Sequence, residues 1–147
     1  MIEFRACYPE HVRLVQVQPE QQAGRDYVIG HGYEESVING LSFSAWKNAR
    51  CVAAGGLFTQ WGQHGNAWLM ASAEIGPDMT RLTRFTKELF VFSPYKRITI
   101  TVDCEFEAAH RWATMLGFEM ECERMKAYSP TGRDAALYAW IRKPADG

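Results

Sequence analysis

The 147-residue chain predicts an α+β fold, a mixed and mostly antiparallel central sheet flanked by helices. Three stretches carry that reading. Ile98, Ile100 and Val102 alternate with Thr99, Thr101 and Asp103, the period of two that turns one face of a strand into a core. Directly after it, Ala108, Ala109, Trp112, Ala113, Met115 and Leu116 recur at helical spacing, and Gly117 stands where a helix ending wants positive φ. Upstream, residues 41–72 read as three short apolar strands separated by turns at 47–49 and 60–66, a meander.

In chain order, residues 2–6 form a first strand, broken at Tyr8-Pro9. Pro9 suits the first turn of a helix running towards Gln22, and Pro19 interrupts that helix. Gly24 and the Gly30-His31-Gly32 cluster mark a loop before a second helix near 33–43, where Tyr33, Val37, Ile38 and Leu41 share a face. A hairpin follows, 41–46 and 50–58, with Gly55-Gly56 signalling a bulge or close packing. The segment AWLMAS at 67–72 is the fourth strand. Ile75-Gly76-Pro77 ends the meander, and Asp78 can cap a helix with a stripe of Met79, Leu82, Phe85, Leu89 and Phe92. Ser93-Pro94 closes it. Beyond Gly117, residues 118–128 set Phe118, Met120 and Cys122 against Glu119, Glu121 and Glu123. The turn Ser129-Pro130-Thr131-Gly132 leads to a last strand at 135–142. The order is βααβββαβαββ in one domain, 1–147, with no internal repeat or linker.

Composition removes several function classes. Sixteen basic against 17 acidic residues, net charge −1, argues against nonspecific binding to nucleic acid or an anionic membrane. Nowhere do about 18 apolar residues run together, and the N-terminus lacks a signal-type stretch, so a cytoplasmic protein is expected. Cys7, Cys51, Cys104 and Cys122 form no C-x-x-C pair and have no His at zinc-finger spacing. They read as packed thiols, with no metal site.

The run VDCEFEAAHRWATMLGF at 102–118 and the element order resemble the GNAT acyltransferase superfamily, whose last third has A-x-x-(aromatic)-x-x-x-x-G-F at the position of Ala109 to Phe118. The ending G-F-E-x-E…Y-S-P-T-G-R-D-A-A-L-Y-A-W is also similar to small GNAT-like proteins of tailed bacteriophages, including internal virion proteins. The resemblance implies acetyl-CoA as substrate, lying where the fourth and fifth strands splay. Its pantetheine would pair with the fourth-strand backbone, here Leu69, Met70 and Ala71. Its pyrophosphate would meet the amides opening the next helix, because a helix N-terminus offers unpaired N–H groups and a positive dipole end.

This chain departs from the family pattern at that loop. In 73–84, AEIGPDMTRLTR, the Gly-x-Gly/Ala signature is reduced to Gly76; Pro77 removes one amide donor and Asp78 adds an anion. Thr80, Arg81 and Arg84 supply a hydroxyl and two guanidiniums suited to phosphate, or are a solvated helix face. The family's Asn and general-acid Tyr are replaced by Phe106 and Ala113, and Trp112 has only an N–H donor. Candidates for a base are Glu74, just past the fourth strand, and Glu34 or Glu35 on the second helix. Each needs burial to raise its pKa, and each also reads as a surface charge. Ser72 is placed to position a water. His11, His31, His64 and His110 are scattered, His64 in a hairpin turn and His110 towards solvent as a weak base candidate. Cys104 and Glu105 fall at the turn after the fifth strand.

Two functions follow from the resemblance. One is an N-acetyltransferase in which an unidentified amine attacks the bound thioester directly, a mechanism that proximity can drive without a dedicated acid. The other is a fold retained as a virion-assembly or protein-interaction module, with Tyr33, Trp46, Trp61 and Tyr128 as a partner surface or as core. An open V beside Met70 favours the first; a gap plugged by Phe106 or Trp112 favours the second.

Overall fold

Among the described residues, seven strands form one sheet in the spatial order β1-β2-β3-β4-β5-β7-β6: β1 Ile2–Ala6, β2 Leu41–Lys47, β3 Arg50–Trp61, β4 His64–Ala71, β5 Arg97–Asp103, β6 Glu119–Met125 and β7 Ala135–Ile141. The helices whose bounds lie among the described residues are α1 Pro9–Leu14, α2 Pro19–Gly30, α3 Met79–Phe92 and α4 Glu107–Met115, with a 3-10 turn, Ala73–Asp78, before α3. The computed structural model describes residues 2–33, 35 and 40–144.

Every strand pairing is antiparallel except β4 with β5. That parallel pairing has only three partner pairs, His64 with Arg97, Gly65 with Ile98 and Asn66 with Thr99. Beyond them the two strands part. Gly65 holds the junction: the Tyr95 ring lies where a Cβ would be, 2.6 Å from its nearest atom, so only glycine admits that ring.

The sheet separates two apolar clusters. On one face Val52, Leu57, Ile98, Val102 and Tyr138 pack with Leu82 and Phe90 of α3, with Trp112 of α4 and with Leu116 just beyond it. On the other, Cys7, Cys51 and Ala54 pack with Val15 and with half-buried Trp46 and Trp68. In α3, Thr83 and Thr86 are buried because each hydroxyl donates to the carbonyl four residues back, Met79 and Leu82, both at 2.8 Å. Arg142 closes that helix. Its guanidinium donates to the carbonyls of Phe90 at 2.9 Å, Ser93 at 2.7 Å and Tyr95 at 3.0 Å, a cation on the negative dipole end.

The fold class and the turn at Gly117, with φ of 95°, agree with the sequence reading; several boundaries do not. Pro19 opens α2 at its first position instead of interrupting α1, since its fixed φ and missing N–H suit that place. The helix expected near 33–43 is not at its C-terminal end, where Leu41 and Phe43 belong to β2; Val37 and Ile38 lie outside the described residues. Phe92 is 77% exposed, being about 200° round the helix from Phe90, which takes the buried place. His64 is on β4, not in a turn, with Nε2 2.9 Å from Thr99 Oγ1. Among the expected partner-surface aromatics, Tyr33, Trp61 and Tyr128 are exposed, whereas Trp46 is half-buried and donates Nε1 to Ser44 Oγ at 2.9 Å. Among the described residues no helix is long and apolar enough to cross a membrane.

Candidate active site

The parting of β4 from β5 opens a cleft of about 440 Å³. Its walls are β4 from Ala67 to Ala71, β5 from Ile100 to Asp103, the first turns of α4, one side of α2 and the β6–β7 loop. Phe106 and Trp112 stand in the wall and do not fill the gap. Trp112 Nε1 donates to Thr83 Oγ1 at 2.8 Å, linking α4 to α3 beside the cleft. The V beside Met70 is open.

Backbone direction along β4 decides what the cleft presents. Ser72 N donates to Val52 O of β3 at 2.9 Å, and successive peptide groups in a strand point to opposite sides. Leu69 and Ala71 therefore direct their N–H and C=O groups into the splay. There they meet the side chain of Gln21 from α2: Gln21 Nε2 donates to Leu69 O at 2.7 Å, and Ala71 N donates to Gln21 Oε1 at 3.1 Å. The carboxamide takes the place of a peptide group on a neighbouring strand.

The loop after β4 is tied to the β2–β3 hairpin. Ser72 Oγ accepts from Glu74 N at 3.1 Å. Arg50 pairs with Glu74 Oε1 at 2.6 Å. Lys47 Nζ donates to Glu74 O and pairs with Asp78 Oδ2, both at 3.0 Å. The ammonium holds the Asp78 carboxyl below its ordinary value, so the anion that Asp78 brings to this loop is neutralised. Gly76, at φ 46° and ψ −126°, makes a bend that a side chain would resist. Thr80, Arg81 and Arg84 project from the first turns of α3, exposed. Among the described residues, neither arginine makes a hydrogen bond or ion pair.

Of the residues read from sequence as the site, Leu69, Met70 and Ala71 line the cleft; the three proposed for proton handling do not. Glu74 is committed to Arg50, Ser72 is buried and caps the 3-10 turn, and Glu35 is exposed. Glu34 lies outside the described residues. His110 does not face solvent: it is half-buried, with Nδ1 2.6 Å from Tyr138 Oη and Nε2 3.0 Å from Cys104 O. Since a carbonyl only accepts, Nε2 is the donor to Cys104 O. The four cysteines are free thiols, and burial pushes Cys7 up to about 12. No cluster of metal-binding side chains occurs among the described residues.

Sequence reasoning missed the far mouth of the cleft. Arg133 Nε pairs with Asp103 Oδ2 at 2.5 Å, and its Nη2 reaches Asp103 Oδ1 and Glu105 Oε2 at 3.0 Å each. Asp134 accepts from Ala127 N at 2.9 Å and from Arg124 at 2.6 Å. These bonds hold the β6–β7 loop over the mouth. Arg133 keeps the Asp103 carboxyl below the usual carboxylate range, which makes it a weak base. Opposite, Arg25 donates to Val15 O, and its buried Nε has no partner among the described residues.

This sheet order, with its single parallel pairing and its cleft at that junction, is the fold of GNAT-family acetyltransferases. The chain superposes on Ard1 from Thermoplasma volcanium with a TM-score of 0.74 at 10% identity, covering 97% of this chain and 99% of that one. An N-acetyltransferase from Staphylococcus aureus Mu50 gives 0.73 at 13% identity over 96% and 97%. The structure of yncA from Salmonella typhimurium, assigned as an acetyltransferase and holding its cofactor acetyl-CoA, gives 0.65 at 7% identity over 99% and 96%. No family model matches the sequence, and neither does any curated protein.

Proposed function

We propose that the protein is an acetyl-CoA-dependent N-acetyltransferase of the GNAT superfamily, acting in the cytoplasm on an amine. The observation that carries this reading is the open cleft into which Leu69 and Ala71 direct their peptide groups. An extended chain bearing amides can add to such an edge as a further strand, and the pantetheine arm of acetyl-CoA is such a chain. Arg81 and Arg84 stand at the start of α3, suited to its phosphates.

The amine approaches from the mouth bounded by α2 and the β6–β7 loop. Its nitrogen bonds to the thioester carbon, the carbon–sulfur bond breaks, and CoA leaves as the thiolate. Among the described residues of the cleft, Asp103 and Asp134 are held by Arg133 and Arg124, so the amine's proton passes to solvent and the rate rests on positioning. The test is calorimetric titration of acetyl-CoA, followed by an amine screen read as thiol release. Micromolar binding, near −8 kcal/mol at about 1 μM, with release that depends on the amine supports the enzyme.

A second reading, a non-catalytic binding or virion-assembly module, is favoured by the Gln21 carboxamide on the β4 edge and by Phe106 and Ala113 at the proton-handling positions. Absence of heat on titration supports that reading.

A further inference from the structure

We propose that Gln21 is an internal competitor for the cleft: its carboxamide occupies the Leu69 and Ala71 peptide groups until an incoming amide displaces it. The pairing is two-point, 2.7 Å to Leu69 O and 3.1 Å from Ala71 N. It satisfies one acceptor and one donor that the departure of β5 leaves without a strand partner. A ligand that pairs with the same two atoms cannot bind while Gln21 remains. Release is inexpensive in structure. Residues of α2 are nowhere buried, and rotation of the Gln21 side chain alone frees the edge, with no strand or core group moving. In the unliganded protein the carboxamide keeps the edge from pairing with a foreign strand; on binding, its loss is part of the cost.

The identity of the displacing group rests on the acetyl-CoA reading, so the experiment separates the two. Hydrogen exchange at the Ala71 amide is measured in the ligand-free wild type and in Gln21→Ala, and CoA is titrated into both. In the variant, Ala71 is expected to exchange at least about tenfold faster, and CoA to bind about three- to tenfold more tightly, since two neutral hydrogen bonds need no longer be broken and water replaces them only in part. Unchanged Ala71 exchange overturns the proposal, because Gln21 is then not paired in solution. Equal or weaker CoA binding by the variant overturns the competition while leaving the acetyl-CoA reading intact. Binding of CoA to neither protein overturns both. Gln21→Glu provides a second check: a carboxylate still accepts from Ala71 N but cannot donate to Leu69 O, so its CoA affinity is expected between those of wild type and Gln21→Ala.

Discussion

Trp112 donates its indole N–H to Thr83 Oγ1 at 2.8 Å, and Thr83 donates its own proton to Met79 O at 2.8 Å. This short relay fastens α4 to the first turn of α3 at the edge of the cleft. The two single replacements differ in what they strand. Trp112→Phe leaves the threonine hydroxyl donating to Met79, whereas Thr83→Val leaves an indole N–H, in a residue only 8% exposed, without an acceptor. An unmade buried bond costs more than the bond contributes. Thr83→Val is therefore expected to cost about 1–3 kcal/mol in the wild type and much less in the Trp112→Phe background. Urea unfolding of the four proteins of this cycle measures it. Additive effects would show that the hydrogen bond contributes nothing.

Arg81 and Arg84 are exposed and unpaired among the described residues, beside a loop whose own anion, Asp78, is neutralised by Lys47. Two free guanidiniums at a helix start are suited to a diphosphate. Replacing both with alanine is expected to raise the CoA dissociation constant about tenfold or more. It should also flatten the loss of affinity with added salt. A dissociation constant and salt slope matching the wild type would leave the two side chains as a solvated helix face.

Glu74 follows the fourth strand directly, the place that makes it a candidate base from sequence. Its carboxylate instead meets Arg50 at 2.6 Å, with 63% of the arginine and 39% of the glutamate side chain exposed. Glu74→Gln is expected to leave turnover within about twofold, since a group committed to a guanidinium outside the cleft takes no proton from a substrate in it. An exposed pair also adds little to stability, under about 1 kcal/mol. A rate reduced a hundredfold at saturating substrate would return Glu74 to the mechanism.

What the sequence made legible is what is local. The alternation at 98–103, the helical spacing up to Leu116 and the positive φ of Gly117 are each settled within a few residues, and all three appear as read. The errors arose where local signals have two meanings. Proline starts a helix as well as ending one, and Pro19 starts α2. Gly24 sits inside α2 at a cost of only about 1 kcal/mol. The splay was legible only through resemblance, because nothing in the pattern of Ile98, Ile100 and Val102 changes at Thr99, where β5 leaves β4. Arg50 neutralises Glu74 from 24 positions away, and Gln21 reaches residues 48 and 50 positions downstream. Such partners are set by the finished fold. Gln21, a neutral polar residue on a helix with no buried face, carries no sequence signal of its role.

The β6–β7 loop is expected to be secured by charge, and its hold to be lost in acid. Arg133 keeps the Asp103 carboxyl below its ordinary value, helped by the Glu105 amide, which donates to Asp103 Oδ1 at 2.9 Å. A carboxyl whose folded pKa is depressed contributes stability above its unfolded value, about 3.9. That contribution is lost as pH falls through the lower, folded value. Arg133→Gln removes the guanidinium and lets Asp103 return towards the unfolded value. At pH 7 the variant should therefore melt below the wild type, and the gap between their melting temperatures should narrow once the pH passes below about 4. Asp134 is held down in the same direction by Ala127 N and Arg124, so both proteins still lose stability in acid, and the prediction concerns only their difference. Because Asp103, Arg133 and Asp134 all line the mouth, the same substitution should raise KM for the amine at pH 7 more than it lowers kcat. A melting gap that stays constant from pH 7 to pH 3 would mean that the Arg133 side chain acts through packing and not through its charge.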